Sequence, residues 1–456
     1  MAEDIDILKQ YLPKHPRFAC WMLKFFSNSR NYCIKFEIYF IVLKIYCIFA
    51  VDFNQTHCNM KEVKRTGYLN QLNGWRDMQI IKVVTGIRRC GKSTLLEQYR
   101  QELRESGVSD EQIISIRFEE FDNEPLLDAK ALYAYIKERL SPDKQNYIFL
   151  DEVQLVDGFE KVVNSLYLRK NVDIYITGSN SHMLSGELAT LLSGRYITIH
   201  VFPLSLAEYA GVHEGYSMDV YNSYSDTSSF PYALQIHDDH QRLTYLQDIY
   251  NTVIMRDVVS HNKVDNINTL VRLSRFLADN IGNLNSSKRI ADTLTSSGMK
   301  TNSHTVDTYL QYLSEAYMFY PVRRFDIKGN EFLRIGQKYY IADVGLRHML
   351  IGRKNIDHGR VLENIVYLEL RRRGYEVYVG SVNGKEVDFV AQRDGTTEYY
   401  QVAESVADEA TLNRELESLL AIKDHYPKYL LTLDNRPQVD HDGVHQLYAV
   451  DWMLKG

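Results

Sequence analysis

The sequence predicts an α/β protein whose first half is built on a parallel β-sheet. Short apolar runs rich in β-branched residues alternate with segments of helical spacing across residues 60–210, which is the pattern of successive βαβ units. A glycine-rich segment follows the first run and an acidic pair follows the third, and strand ends of this kind are where ligands bind in open parallel sheets. The predicted strands are 79–85, 113–118, 147–150, 172–177 and 196–202, and the predicted helices are 93–103, 128–140, 158–168 and 184–192.

The glycine-rich segment has the spacing of a phosphate-binding P-loop. Residues 86–93 read GIRRCGKS, which fits G-x-x-x-x-G-K-[ST]. In such a loop the backbone amides turn toward the β- and γ-phosphates of a nucleotide, and the following helix presents its positive N-terminus. We expect Lys92 to neutralise phosphate charge and the Ser93 hydroxyl to ligate Mg²⁺. The predicted nucleotide-binding residues are Gly86, Ile87, Arg88, Arg89, Cys90, Gly91, Lys92, Ser93 and Thr94.

The acidic pair fits the same chemistry. The apolar strand 147–150 reads YIFL and is followed directly by Asp151 and Glu152. An apolar strand that ends in two acids is typical of the Walker B element of P-loop ATPases. We expect Asp151 to complete the Mg²⁺ site with Ser93, and Glu152 to polarise the attacking water. ATP and Mg²⁺ are therefore the predicted cofactors.

Four motifs, in this order, carry a resemblance to a known family: GIRRCGKSTLL, FLDEVQ, ITGSNSHMLSGELATLLSGR and VFPLSLAEY. The chain resembles the prokaryotic AAA+-like ATPases that carry a C-terminal domain of uncharacterised function, over residues 60–435. The resemblance implies a five-stranded sheet in the order 5-1-4-3-2 and a γ-phosphate sensor at Ser179 or Asn180. It also implies an arginine finger at Arg195, for which a surface arginine beside the strand is the alternative. The implied catalytic residues are Glu152, Asp151, Lys92, Asn180 and Arg195.

Length and composition limit the remaining possibilities. The 456-residue chain is long enough for about two to four domains. Its net charge of −6 argues against a protein that coats nucleic acid non-specifically, so any nucleic-acid contact must be local. Four of the five cysteines fall in the first 58 residues, which does not fit a disulfide framework and favours the reducing cytosol.

The segment 1–59 does not follow the pattern of the rest. Residues 20–51 are aromatic and apolar without clear periodicity, and Lys35, Glu37 and Lys44 interrupt the apolar stretch of about 20 residues that a membrane span requires. Acidic residues near the start do not fit a signal peptide. Three interpretations are open: upstream sequence that is not native, with Met60 as the natural start; a membrane anchor; and an unusual folded extension. We favour the first and expect no membrane partner.

Residues 60–210 form the predicted ATPase domain, and two further segments follow it. Residues 211–285 are predicted to be a connector, irregular to 245 and helical afterwards. Residues 286–345 follow the order helix, turn, helix, hairpin, which is typical of a winged helix. Three interpretations are open for the hairpin: phosphate contacts to DNA, chiefly through Arg323, Arg324 and Lys328; docking of a protein partner; or a solvated hairpin. Its charged residues are Arg323, Arg324, Lys328, Arg334 and Lys338 against Asp326 and Glu331.

The last segment, residues 346–456, resembles the PD-(D/E)xK restriction-endonuclease fold, an α/β fold. Such nucleases hold a metal ion with an acid on one strand and an acid-x-lysine on its hairpin partner. Asp388 matches the first acid and Glu363 a helix acid, but the acid-x-lysine position reads QVA at residues 401–403. Lys385 lies three residues before Asp388 and is expected to face the other side of an extended strand. We therefore predict a domain that lacks the catalytic lysine and is inactive as a nuclease.

Together these features predict a cytosolic ATPase that binds Mg-ATP, hydrolyses it slowly and couples it to a DNA- or protein-binding C-terminal module. The alternative from a different class is a nucleotide-dependent binding switch with negligible turnover, and an ATP-coupled nuclease is a weaker alternative. If Arg195 acts between subunits, the protein is also a homo-oligomer.

Overall fold

The computed structural model describes residues 62–181, 192–213, 215–353 and 357–455. The predictions for residues 1–59 and for most of the helix at 184–192 lie outside these residues. From Val63 onward the chain forms one compact unit. Within the described part, no helix is both long enough and apolar enough to cross a membrane.

A five-stranded parallel sheet lies at the centre of the first half. Its strands are β1 (Ile81–Thr85), β2 (Ile113–Arg117), β3 (Asn146–Asp151), β4 (Val172–Gly178) and β5 (Tyr196–His200). They are arranged in the order β2-β3-β4-β1-β5, and every neighbouring pair is parallel. This is the predicted order 5-1-4-3-2 counted from the opposite edge, so the predicted fold class is confirmed.

Helices cover both faces of this sheet, because alternate residues of a strand point to opposite faces. The helices are α1 (Thr66–Gly74), α2 (Lys92–Glu105), α3 (Ala129–Arg139) and α4 (Phe159–Tyr167). Val84 of β1 shares one core with Leu95 of α2, whereas Val83 shares a second core with Leu132 of α3 and Leu166 of α4. All five residues of β1 are therefore buried, including its one charged residue, Lys82.

A helical region follows the sheet. Its helices are α5 (Leu206–Ala210), α6 (Ser217–Asp226), α7 (Asp239–Thr252) and α8 (Ile267–Asp279), with a π-helical segment, Val253–Val259, directly after α7. The prediction that residues 211–245 are irregular is wrong for much of their length, because α6 and the start of α7 lie there. Val220, Tyr221 and Tyr224 of α6 are buried in the main core. Tertiary packing therefore stabilises a helix whose three serines and two aspartates give it weak intrinsic propensity.

The C-terminal half is organised around an eight-stranded mixed sheet in the order β12-β13-β11-β10-β9-β8-β6-β7. Its strands are β6 (Phe319–Asp326), β7 (Glu331–Ile341), β8 (Glu376–Val382), β9 (Lys385–Arg393), β10 (Thr396–Ala403), β11 (Lys428–Thr432), β12 (Val439–His441) and β13 (Val444–Tyr448). Its helices are α9 (Ser287–Ser296), α10 (Ser303–Glu315), α11 (Val344–Ile351), α12 (His358–Arg372), α13 (Glu409–Leu420) and α14 (Ala449–Leu454).

The predicted hairpin, β6–β7, is the edge of this same sheet. β6 pairs antiparallel with β7 and parallel with β8. The helices α9 and α10 precede the hairpin in the predicted order, but the sheet continues across the predicted domain boundary at residue 345. The division into a winged helix and a nuclease-like domain stays a prediction. The sheet brings side chains of the hairpin next to those of the last segment.

Candidate functional site

The glycine-rich segment forms a tight loop between β1 and α2. Gly86 has φ +147°, and a Cβ at this position would lie 2.1 Å from the carbonyl oxygen of Val201, so only glycine fits. Gly91 has φ +102° and immediately precedes α2. Because glycine has no side chain to cap the helix, the first amides of α2 are left for an anion. The backbone of this loop is therefore suited to phosphate.

Lys92 lies inside this loop and is 4% exposed. Its Nζ donates to the carbonyl oxygen of Gly86 at 2.9 Å and to that of Ile87 at 3.4 Å. The same nitrogen lies 3.9 Å from Glu152 Oε1. The ammonium is thus held between the phosphate-binding loop and the acidic pair.

The acidic pair lies at the end of β3, beside the loop. Asp151 accepts a hydrogen bond from Thr177 Oγ1 at 2.6 Å, and the Glu152 amide donates to the same oxygen at 2.8 Å. Glu152 has φ +56°, so the chain turns sharply directly after the strand. Gln154 Nε2 donates to Glu152 Oε2 at 2.5 Å and holds this carboxylate in one orientation. Sequence reasoning missed Thr177 and Gln154, because neither residue is part of a motif.

A cavity of about 420 Å³ opens beside these residues. The two predicted Mg²⁺ ligands, Ser93 and Asp151, both line it although they are distant in the sequence. A hydroxyl and a carboxylate are hard oxygen ligands, and Mg²⁺ in such sites is completed by phosphate and water oxygens, so these residues fit the ion. The full lining is Ser93, Thr94, Glu97, Arg117, Glu119, Glu120 and Asp151.

Asp257, in the π-helical segment, connects the loop to the end of β4. Its carboxylate accepts from Arg88 Nε at 3.1 Å, from Arg88 Nη2 at 3.0 Å and from Ser179 Oγ at 3.1 Å. Asn180 Nδ2 donates to the Asp257 carbonyl oxygen at 2.5 Å. Both predicted sensor positions and one P-loop arginine therefore share one buried aspartate. We call Asp257, Arg88, Ser179 and Asn180 the Asp257 cluster.

Sequence reasoning missed Asp257. The available signal is an acid inside the mostly apolar run VIMRDVV, because an aspartate is rarely buried without charged or hydrogen-bonding partners. A π-helical segment is a second signal, which only the structure provides, since such segments often lie at functional sites.

A second cavity, of about 730 Å³, lies between the loop and α7. Both loop arginines line it, so the helical region borders the same loop that the acidic pair borders. The lining residues are Arg88, Arg89, Phe118, Glu119, Leu155, Tyr245, Asp248, Ile249, Thr252 and Arg256.

Comparison with known proteins relates this sheet and loop to a described domain. A family model described as an AAA domain matches residues 79–210, and one described as a domain of unknown function (DUF8612) matches residues 218–357. An uncharacterized protein of Haemophilus influenzae is 39% identical over 399 residues, which cover 86% of this chain and 99% of that protein. The chain belongs to the same family as this protein.

Two further proteins are similar over most of their length. An uncharacterized protein of Methanocaldococcus jannaschii is 29% identical over 405 residues, which cover 83% of this chain and 85% of that protein. The solved structure of the Walker-type ATPase of Pyrococcus abyssi is 15% identical, with a TM-score of 0.44 over 63% of this chain and 96% of that one. The AAA-domain match covers all five strands of the parallel sheet, and the order of these strands is that of a P-loop NTPase fold.

The structure does not bring Arg195 to the phosphate-binding loop. Arg195 directly precedes β5, whose first residue pairs with Ile81 at the start of β1, whereas the loop follows the end of β1. The five residues of β1 separate the two by roughly 13 Å. Arg195 Nη1 donates instead to Asn164 of α4 at 2.5 Å. Arg195 therefore lies at the amino ends of the strands, away from the loop of its own subunit, and a role as an arginine finger between subunits stays a prediction.

The two predicted nuclease-like acids lie together in the C-terminal half, with a residue that was not expected there. Glu363 of α12 and Asp388 of β9 lie 2.8 Å and 3.6 Å from the Nζ of Lys338 of β7. The acid-x-lysine position has no lysine, but the hairpin places a different one, Lys338, beside the two acids. That the domain is inactive as a nuclease stays a prediction. Lys338, one of the charged residues of the hairpin sequence, is 2% exposed and therefore adds no positive charge to the hairpin surface.

The remaining residues of the predicted motif face α13. Gln401 Nε2 donates to Glu415 of α13 at 2.9 Å, and Gln401 Oε1 accepts from the Asp388 amide at 3.3 Å. Lys385 forms an ion pair with Glu417 of the same helix. Lys385 therefore has a partner other than Asp388.

Proposed function

We propose that the protein is a Mg²⁺-dependent ATPase whose nucleotide state is passed to its C-terminal half. The observation that carries this proposal is the meeting of Lys92, Ser93 and the acidic pair at one edge of the parallel sheet. This is the edge at which P-loop proteins bind phosphates, since strand ends and a helix N-terminus meet there. When bound, Mg²⁺ neutralises charge on the β- and γ-phosphate oxygens. The cysteine pattern supports a cytosolic location for this activity.

Each side chain has a separate role in this proposal. Lys92 exchanges its carbonyl acceptors for phosphate oxygens, because an ammonium binds an anion more strongly than a neutral carbonyl. Ser93 and Asp151 hold the ion. Glu152, oriented by Gln154, polarises the water that attacks the γ-phosphate.

The Asp257 cluster carries the nucleotide state to the helical region in this proposal. A phosphate that arrives at the loop competes with the Asp257 carboxylate for Arg88, because both are anions that a guanidinium binds well. When Arg88 changes partner, Asp257 keeps its contacts with Ser179 and Asn180 at the end of β4. The contact between the π-helical segment and the loop is made by Arg88 and therefore depends on what the loop binds. Because this segment directly follows α7, a change in that contact reaches the helical region.

A binding switch without turnover is the second candidate, and the Asp257 cluster favours it. The exchange of Arg88 from Asp257 to phosphate requires binding alone and no hydrolysis. The two candidates share every nucleotide contact and differ only in what Glu152 does.

Steady-state phosphate release with Mg-ATP separates the two candidates. If the protein is an ATPase, Lys92→Ala weakens ATP binding, and Glu152→Gln keeps ATP binding while turnover falls at least about 100-fold. Asp265→Asn is a matched control, because Asp265 is an exposed acid outside the site. Equal, negligible turnover in the wild type and in Glu152→Gln would favour the switch. Wild-type turnover in Glu152→Gln would contradict the role of Glu152.

We also propose that the C-terminal half binds a macromolecule through the hairpin. Arg323 and Lys328 are exposed, and the Arg323 guanidinium lies 4.4 Å from the ring centre of Phe332. The side chain of Arg334 lies outside the described part of the structure. With Lys338 buried, less positive charge is available than the sequence suggests, which supports a protein partner over DNA. DNA binding that weakens steeply with salt and is lost in Arg323→Glu/Lys328→Glu would reverse this preference.

A further inference from the structure

Three carboxylates surround one buried lysine in the C-terminal half. Lys338 Nζ lies 2.8 Å from Glu363 Oε1, 2.7 Å from Glu386 Oε1 and 3.6 Å from Asp388 Oδ1. Only 3% of the Lys338 side chain is exposed, whereas Glu386 is the most exposed of the acids at 39%. We call Glu363, Glu386 and Asp388 the three-carboxylate cluster.

The three acids lie on two elements, and the lysine lies on a third element. In the resemblance to nucleases, the two elements with the acids are those that supply metal ligands. Glu363 lies on α12, and Glu386 and Asp388 lie on β9. Lys338 lies on β7, two strands farther along the sheet than β8. Its ammonium is therefore placed among oxygens that would otherwise face a hard cation, which carboxylates bind in nucleases of this type.

The ammonium is charged in this setting. Burial acts to lower the pKa of Lys338, but the charges of Glu363, Asp388 and Glu386 outweigh it and raise this pKa above its ordinary value. Burial also raises the pKa of Asp388, the charge of Glu363 raises it further, and Lys338 opposes both effects.

Other groups also contact two of these carboxylates, and on Glu363 they share the oxygen that Lys338 contacts. Tyr340 donates from its hydroxyl to Glu363 Oε1 at 2.6 Å, and the Val402 amide donates to Asp388 Oδ2 at 2.9 Å. The other oxygen of Glu363 lies against Gly282, where a Cβ would come within 2.8 Å of it. Gly282 has φ +71°, so both its backbone conformation and this close approach favour glycine. The site is packed around the lysine.

We propose that Lys338 is a built-in cation that takes the place of the divalent metal in this nuclease-like site. A divalent ion needs oxygens at about 2.0–2.6 Å, and it cannot reach them while an ammonium hydrogen-bonds to the same oxygens. The residues present therefore do not fit Mg²⁺ or Mn²⁺ at this position. The site binds no catalytic metal and cuts no DNA, and the lysine stabilises the junction between the hairpin and α12.

Mn²⁺ binding to the full-length protein without nucleotide tests this proposal, with free Mn²⁺ measured by electron paramagnetic resonance. Wild type and Asp388→Asn should bind Mn²⁺ equally, because the ion does not use Asp388. Lys338→Met removes the ammonium and keeps the length of the side chain. This variant should bind one more Mn²⁺ per chain than the wild type, and its affinity for that ion should be at least about tenfold higher than that of the wild type. Lys338→Met/Asp388→Asn should lose this gain. Thermal unfolding checks that each variant is folded.

Two outcomes would overturn the proposal. Weaker Mn²⁺ binding in Asp388→Asn than in the wild type would show that a metal is held while the lysine is present, and this comparison does not depend on the Lys338 variant folding. A folded Lys338→Met that gains no Mn²⁺ would show that the lysine is not what excludes the metal. As a separate readout, Mg²⁺- or Mn²⁺-dependent cleavage of single- or double-stranded DNA that disappears in Asp388→Ala would make Lys338 the lysine of a working nuclease. None of these results depends on ATP hydrolysis, so they are independent of the proposed ATPase.

Discussion

At the level of single residues, the side chains of the phosphate site depend on neighbours that belong to no motif. Thr177 contacts both acids of the pair. Its hydroxyl donates a hydrogen bond to the Asp151 carboxylate and accepts one from the backbone amide of Glu152. Gln154 holds the Glu152 carboxylate. A carboxylate that activates a water molecule must be held in the correct orientation, because proton transfer requires a hydrogen bond of suitable geometry between the two.

Gln154→Leu should lower the rate of ATP hydrolysis about tenfold or more with little change in ATP affinity. The reason is that loss of a hydrogen bond to a charged group costs about 1.5–3 kcal/mol, and this bond positions Glu152 without contacting the phosphates. Phosphate release and nucleotide binding measured together check this split. Gln101→Leu, on the exposed face of α2, is the control. Unchanged turnover in Gln154→Leu would show that Glu152 needs no support from it.

A buried ion pair links the two central strands at the same scale. Lys82 Nζ of β1 lies 2.5 Å from Asp173 Oδ1 of β4, and neither side chain is exposed. Tyr175 donates from its hydroxyl to the other oxygen of Asp173 at 2.9 Å. Burial raises the pKa of Asp173, and Lys82 opposes this rise. Each charge is therefore tolerated only because its partner is present.

Asp173→Ala should lower the free energy of unfolding by about 3–5 kcal/mol, because it leaves the buried Lys82 ammonium without its carboxylate, with the neutral Met78 carbonyl as an acceptor. Lys82→Met/Asp173→Leu should recover much of this loss, since it removes both charges and keeps similar volume. Chemical unfolding of the wild type, the single variant and the double variant measures the difference. A double variant as unstable as Asp173→Ala would contradict this account.

At the level of elements, the π-helical segment Val253–Val259 has the largest functional consequence. It directly follows α7 and places Asp257 against the phosphate-binding loop and the end of β4. A π-helical segment has one extra residue per turn, which changes the direction of the side chains within it. The connection between the helical region and the nucleotide site depends on this local geometry.

Asp257→Asn should tighten nucleotide binding several-fold. It removes one of the two carboxylates that pair with Arg88, the other being Glu119, so the guanidinium binds phosphate with less competition, and it removes an anion close to the binding loop. Titration with a fluorescent ATP analogue measures the affinity. Asp265→Asn serves again as the exposed control. Weaker binding in Asp257→Asn would mean that the Asp257 cluster positions the loop for the nucleotide instead of competing with it.

At the level of the whole molecule, His200 joins the two sheets. Its Nδ1 lies 3.2 Å from Thr85 Oγ1 of β1, and its Nε2 lies 3.0 Å from the Tyr320 hydroxyl of β6. Burial, with the nearby charges of Arg371 and Lys92, lowers the pKa of His200 from 6.5 to about 3. The ring is therefore neutral in the folded protein over the physiological range of pH.

The stability that His200 contributes should be complete above pH 6.5 and should decrease as the pH falls toward 3. Below pH 6.5 the unfolded chain binds a proton at His200 and the folded protein does not, so acid favours unfolding, by about 2 kcal/mol at pH 5. His200→Gln should therefore lose less stability than the wild type between pH 7.5 and pH 5, as measured by urea unfolding. His304→Gln, at an exposed histidine, is the control. Parallel pH curves for wild type and His200→Gln would exclude this role.

The sequence by itself determined the parts of this protein whose residues are contiguous. The loop at residues 86–93 was recognisable because a P-loop binds phosphate with consecutive backbone amides. The strand that ends in Asp151 was recognisable because a Walker B element places its two acids next to each other in the sequence. Alternation of apolar strands and helices also predicted a parallel sheet, since each βαβ unit is local in the chain. The order of the five strands was implied by the family resemblance and is the order observed.

Only the tertiary structure decided which distant residues complete the sites. Asp257 and Lys338 lie far along the chain from the groups they contact, and no spacing rule connects them. In the sequence, Lys338 is one of several basic residues of a hairpin, because a strand period of two shows which residues share a face but not which neighbouring strand or helix covers it. The pairing of β6 with both β7 and β8 decided that this face is covered by Glu363 and its neighbours. The charge therefore lies in the interior, where it neutralises carboxylates, and not on the surface.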